Sequence, residues 1–126
     1  MPKRMSPGEA KELIDQGWAY VDVRSEEEFA GGHPEGAYNV PLGDTMPAAL
    51  ERLFGDKSAK IVVGCQAGGR SLRAATMLEQ AGWTNVVDQR AGFGGNGTEK
   101  GWREAGLPVS TKPAPGRSWK EIGAKR

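Results

Sequence analysis

The chain has few of the residues that staple or metallate small proteins. Its 126 residues include one cysteine, Cys65, and one histidine, His33. A single thiol excludes an internal disulfide, so the fold needs no oxidising compartment. One cysteine and one histidine fall short of a structural metal site, and no metal or organic cofactor is expected. Long apolar runs are also missing. No window approaches a membrane span, and the start, Met1-Pro2-Lys3-Arg4-Met5-Ser6, is not followed by the apolar stretch of a secretory signal. The cytoplasm is the simplest location these absences allow. No charge of one sign dominates, since the formal net charge is +1. Lys112, Arg117, Lys120, Lys125 and Arg126 stand against Glu121 in residues 111–126, which leaves the remainder mildly acidic. A mildly acidic body with a short basic tail does not suggest a nucleic-acid or membrane partner, and the tail reads as a solvated one.

Glycine is abundant, at 19 residues, which signals many tight turns. The length suits one domain, residues 1–110, that buries roughly two thirds of its surface. Residues 111–126, with Pro113, Pro115 and Gly116, read as a flexible basic tail in which Ser118 to Ile122 form one helical turn.

Helices and strands alternate along the domain. Ser6, Pro7 and Glu9 open a helix with a capping box, and Ala10, Leu13 and Ile14 form its apolar stripe. Trp18 to Val23 reads as a strand. Ser25 and Glu28 form a second capping box, with Glu26, Glu27 and Glu28 a charge run suited to a helix start. A strand over Ala37 to Val40 and a helix from Asp44 to Phe54 follow. Ile61-Val62-Val63 reads as a strand covered on both faces. A helix from Ser71 to Gly82 places Ala74, Ala75, Leu78 and Ala81 on one side. Asn85 to Val87 is the next strand, and a last helix, anchored by Trp102, is expected over Thr98 to Ala105. This alternation predicts an α/β fold with a mainly parallel sheet and helices on both faces. Ligands of such sheets sit beyond the carboxyl ends of the strands. Cys65, Asp22 and Arg24 all fall at such ends.

The stretch between the two best-defined elements carries the chemistry. Cys65 ends the strand and Gln66-Ala67-Gly68-Gly69-Arg70-Ser71 leads into the helix. A loop entering a helix points several backbone N–H groups into one concavity, with the positive end of the helix dipole behind them. Gly68 and Gly69 let the backbone curl. A helix N-terminus and a nearby arginine favour the thiolate of a cysteine placed there. Arg70 adds a planar donor fork for an oxyanion. An arginine at a helix start opposes the dipole, so its placement implies a compensating anion. Asp22 and Arg24 read as an ion pair that holds the neighbouring loops and only indirectly shapes the pocket. His33 reads as a hydrogen-bonded turn residue. The tryptophans are expected to pack in the core or at its rim, although Trp119 in the tail has no assigned place.

Cys65-Gln66-Ala67-Gly68-Gly69-Arg70-Ser71 resembles the active-site loop of rhodaneses, the sulfurtransferases, including its six residues from cysteine to arginine. Val21-Asp22-Val23-Arg24 with Glu27-Glu28-Phe29, the segment from Gly32 to Leu42, and Gly101 to Val109 are similar to further signature segments of that family. Two departures stand out. Pro34 replaces the usual aliphatic residue after His33, and the turn before the final helix is lengthened from Arg90 to Gly97, beside the mouth of the loop. The resemblance implies a rhodanese-like central parallel sheet of about five short strands. It implies a Cys65 persulfide, with Gln66, Ala67, Gly68, Gly69, Arg70 and Ser71 binding the substrate and Asp22 and Arg24 supporting them. The implied donor is thiosulfate or a small persulfide. The implied acceptor is an external thiol, a thioredoxin-type protein or cyanide. The alternatives are a sulfur relay or binding module for a protein partner and a phosphatase or arsenate reductase on the same scaffold. Those phosphatases carry one more loop residue, so the shorter spacing here favours sulfur transfer.

Overall fold

The computed structural model describes residues 2–124. Lys125 and Arg126, counted above in the basic tail, lie outside the described residues. Five strands form a parallel sheet in the order β1 (Lys3–Met5), β6 (Val86–Gln89), β5 (Ile61–Gly64), β2 (Ala19–Asp22) and β4 (Tyr38–Asn39). Every residue of β5 is buried, as a strand covered on both faces requires. Its β-branched side chains alternate between two cores. Ile61 and Val63, followed by Cys65, pack with α3 (Met46–Phe54) and α4 (Gly69–Gln80). Val62 packs on the opposite face with Ala10 of α1 (Pro7–Asp15) and Phe29 of α2 (Glu26–Ala30). Both capping boxes form, Ser6 with Glu9 and Ser25 with Glu28.

The fifth strand is one the sequence pattern conceals. β1 has three residues, and only Met5 is buried. It is strand by virtue of its partner, since Lys3, Arg4 and Met5 lie in parallel register with Val87, Asp88 and Gln89. A two-stranded antiparallel ribbon, β3 (His33–Pro34) with β7 (Val109–Ser110), sits apart from the main sheet.

The expected helix over Thr98 to Ala105 does not form, because residues 91–106 run as turns and bends. Trp102 and Arg103 N–H donate to the Gly92 and Phe93 carbonyls at 2.9 and 3.3 Å, where a helix would direct them to the carbonyls of Thr98 and Glu99. Trp102 anchors the segment nonetheless. It is 1% exposed, and its Nε1–H donates to the Pro108 carbonyl at 2.7 Å.

Residues 111–124 are seated on the body. Asn39 N–H donates to the Arg117 carbonyl at 2.9 Å, and Arg117 Nη1 donates to the Gly36 carbonyl at 2.7 Å. The Arg117 guanidinium lies 4.5 Å above the Tyr38 ring. α5 (Trp119–Ala124) puts Ile122 into the core beside α3. No helix among the described residues is long and apolar enough to cross a membrane.

Ile122 is 3% exposed, so truncating it leaves a cavity. Ile122→Ala is expected to cost about 2 kcal/mol, the lower end for buried aliphatic truncation at a domain margin. Urea unfolding at neutral pH measures this, and an unchanged midpoint would show that α5 is unseated in solution.

Candidate active site

Cys65 leaves the buried end of β5 and is itself 2% exposed. The chain then turns sharply at Gly68, whose φ is +101°. A side chain is doubly disfavoured there. The conformation is left-handed, and a Cβ would lie 2.2 Å from the Arg90 carbonyl oxygen. Gly68 is also the N-cap of α4 and supplies no side-chain cap. The free donors at the helix start therefore have no competing oxygen from the cap. The N–H of Gly68 points at Cys65 Sγ from 3.1 Å. Ser71, fully buried, places its hydroxyl oxygen 3.4 Å from the same sulfur and accepts from the thiol. Gln66, Ala67 and Gly69 are exposed, so the rim of the loop faces solvent.

Two neighbouring segments hold this loop in shape. Phe93 N–H donates to the Cys65 carbonyl at 2.8 Å, and Gly94 N–H to that of Gln66 at 2.9 Å. The bend that delivers them is clamped by Gln89. Its amide oxygen accepts from Ala91 and Gly92 N–H at 2.9 and 2.8 Å, and its Nε2 donates to the Gly92 carbonyl at 2.9 Å. The lengthened stretch beyond is tied back by a bidentate pair between Arg90 and Glu99 at 2.7 and 2.9 Å. A shallow cavity of about 380 Å³, lined by Gln66, Phe93, Gly94, Arg103 and Glu104, opens beside the loop.

Asp22 and Arg24 are 1% and 2% exposed and face each other, with Arg24 Nη2 2.7 Å from Asp22 Oδ2. The guanidinium engages all three of its nitrogens. It also donates to the Gly32 carbonyl at 2.7 Å and to Gln66 Oε1 at 3.2 Å, and lies 4.6 Å above the Phe93 ring. The pair thus reaches the cysteine loop only through Gln66 and Phe93. His33 donates from Nδ1 to the Phe29 carbonyl at 2.7 Å and stacks on the Phe29 ring at 3.7 Å.

Arg70 is the residue whose surroundings the sequence leaves open. The anion that compensates it at the helix start is Glu28, bound through both nitrogens at 2.7 and 2.9 Å. Glu28 serves twice, since its Oε1 also takes the Ser25 N–H of the α2 capping box at 3.1 Å. Nothing in the spacing of Glu28 and Arg70 announces this pairing, because it depends on how α2 docks beside α4. The Arg4–Asp88 pair is likewise invisible in the sequence. It requires β1 and β6 to be neighbours, with Arg4 directly opposite Asp88.

Residues 6–95 match the rhodanese-like domain family. The chain is 40% identical over 119 residues to thiosulfate sulfurtransferase 16, chloroplastic, of Arabidopsis thaliana, covering 86% of this chain and 93% of that one. It is 35% identical over 109 residues to thiosulfate sulfurtransferase GlpE of Haemophilus influenzae, covering 86% and 95%. The crystal structure of a rhodanese-like domain protein from Staphylococcus aureus superimposes with a TM-score of 0.67 at 28% identity, over 86% of this chain and 98% of that one. The chain belongs to the rhodanese-like domain family.

The Arg70 fork holds the Glu28 carboxyl well below its ordinary value of 4.5, at about 2. A carboxylate depressed in the folded state contributes stability that is fully present above the unfolded value. That contribution is lost as pH falls from about 4.5 through about 2. Glu28→Gln should therefore lower the melting temperature at pH 7 and have little effect near pH 2. Melts across that range test this, and parallel curves for the two proteins would show that the pair does not form in solution.

Proposed function

We propose that this chain is a sulfurtransferase that carries sulfane sulfur on Cys65. The observation that carries the reading is the Gly68 N–H aimed at Cys65 Sγ from 3.1 Å, at an uncapped helix start. A donor there stabilises a sulfur anion before and after it takes on a second sulfur. Names of relatives that include thiosulfate sulfurtransferase support the same chemistry.

The exchange runs in two covalent steps. The Cys65 thiolate attacks the outer sulfur of thiosulfate. The sulfur–sulfur bond of the donor breaks and sulfite departs with its electron pair, leaving a Cys65 persulfide. A small persulfide donor reacts in the same way and releases its thiol. An acceptor thiolate or cyanide then attacks the outer sulfur and restores the Cys65 thiolate. The chain holds no second cysteine, so the acceptor comes from outside: a small thiol, a thioredoxin-type protein or cyanide. Both steps are nucleophilic displacements at sulfur and draw on no cofactor. Gln66, Ala67 and Gly69 form the exposed rim that meets the donor. Gly68 and Ser71 hold the sulfur, and Arg70 contributes its charge from within the Glu28 pair. Asp22 and Arg24 support the rim through Gln66.

Cys65→Ser should abolish sulfur transfer from thiosulfate to cyanide without lowering the melting temperature, and residual turnover would refute the assignment. Incubation of the native protein with thiosulfate should add about 32 mass units, one sulfur on the nucleophile, removable by a thiol. Absence of that adduct, or its survival under reduction, argues against a persulfide.

A further inference from the structure

Arg70 is the arginine that the cysteine loop itself carries, and its donors are already taken. It stands in the first turn of α4, directly before Ser71, whose hydroxyl oxygen lies 3.4 Å from Cys65 Sγ. Both terminal nitrogens reach the Glu28 carboxylate, at 2.7 and 2.9 Å, in the bidentate geometry that an incoming oxyanion would use. Parallel register sets Asp22 of β2 beside Gly64 of β5, so the segment leading to α2 and the cysteine loop leave the sheet at one edge. The Arg70 and Glu28 side chains are 35% and 34% exposed, so the pair borders solvent. In this it differs from the Arg24–Asp22 pair, which is shut inside the protein. Glu28 is also anchored without Arg70. Its Oε1 accepts from the Ser25 N–H and from the Ser25 hydroxyl, each at 3.1 Å. The fork can therefore turn to another anion and leave the carboxylate partnered.

A loop arginine in this state is a cation with its anion built in. A donor that brings an oxyanion to the loop meets a pair of nearly zero net charge. It gains the fork's hydrogen bonds only by taking them from Glu28. The cost is graded by charge, because the Glu28 carboxylate acts twice as strongly on a dianion such as thiosulfate as on a singly charged donor at the same place. We propose, on the reading that Cys65 takes sulfur from an anionic donor, that Glu28 is a positioning residue that competes with the donor for the Arg70 fork and so weights the site toward singly charged donors over thiosulfate. A simple alkyl persulfide or an organic thiosulfonate is such a donor. With a thiosulfonate the Cys65 thiolate attacks the outer sulfur, the sulfur–sulfur bond breaks, and a sulfinate departs with the electron pair where thiosulfate releases sulfite. Arg70 holds the Glu28 carboxyl at about 2, so the internal anion is present throughout the neutral range.

The test compares thiosulfate with methanethiosulfonate, which offers the same outer sulfur but carries a methyl group in place of one charged oxygen. Glu28→Gln keeps an oxygen for Ser25 and for Arg70 and removes the charge. Its kcat/KM for thiosulfate should rise about tenfold, carried by KM rather than kcat. For methanethiosulfonate the rise should be about threefold, the square root, because the interaction scales with donor charge. In an Arg70→Gln background the same Glu28 substitution should give less than half the thiosulfate gain on a logarithmic scale. Equal factors for the two donors, a change confined to kcat, a gain that survives intact without Arg70, or no gain at all would each overturn the proposal. Assays are run well below the melting temperatures of the variants, measured in parallel. A second readout bypasses sulfur transfer and reads one group, since Cys65 is the lone cysteine. The ratio of its alkylation rates with iodoacetate and iodoacetamide compares an anion with a neutral reagent of similar shape and cancels any change in the thiolate itself. Glu28→Gln should raise that ratio about threefold, and an unchanged ratio would overturn the proposal. A protein that shows this rise yet takes no sulfur from either donor would refute the function and leave the competition for Arg70 standing.

Discussion

The left-handed turn at Gly68 is the constraint from which the rest of this structure follows. It is wedged beneath the Arg90 carbonyl, with no room for a Cβ. That contact decides where the backbone leaves β5 and where α4 starts, and it brings the Gly68 N–H onto the sulfur. The surrounding arrangement holds this one turn. Gln89 clamps the bend that carries Arg90, Phe93 and Gly94 into place, and the amides of the last two then grip the cysteine loop. Arg4 reaches across from an edge strand to hold the Gly68 carbonyl.

Charge is handled locally around the turn. Arg24 is satisfied by Asp22 and neighbouring acceptors, Arg70 by Glu28, and Arg90 by Glu99. With Arg4, which pairs with Asp88, four arginines hold or flank the loop, and each has a carboxylate of its own. Breaking a fully buried pair by removing one partner typically costs about 3–5 kcal/mol, which sets the Asp22–Arg24 pair apart from the two half-exposed ones. The sulfur itself meets neutral groups, accepting from the Gly68 amide and donating to the Ser71 hydroxyl oxygen.

Most of the architecture was legible in the sequence because its signals are local. The capping boxes at Ser6 and Ser25 and the β-branched run at Ile61 each settle an element without help from distant residues. What was not legible depends on docking. β1 is a strand only because β6 lies beside it. The final helix is missing because Trp102 and Arg103 give their amide hydrogens to the Gly92 and Phe93 carbonyls instead of to those one helical turn back. At the site, the unfavourable place of Arg70 implied an anion, but that the anion is Glu28 of the same chain required the packing of α2 beside α4. Asp88 gave no signal at all, since a carboxylate at a strand end reads as solvated until its neighbours bury it.

The Arg117 carbonyl that accepts from Asn39 has a consequence for the sheet as a whole. β4 is an outer strand, and an outer strand offers backbone donors to any extended chain that drifts past. Here the protein's own C-terminal segment occupies that position first, and the guanidinium over Tyr38 and the burial of Ile122 fasten it there. The segment from Arg117 to Ile122 thus acts as a selvedge. It occupies a backbone donor at the margin of the sheet that another extended chain would otherwise find free.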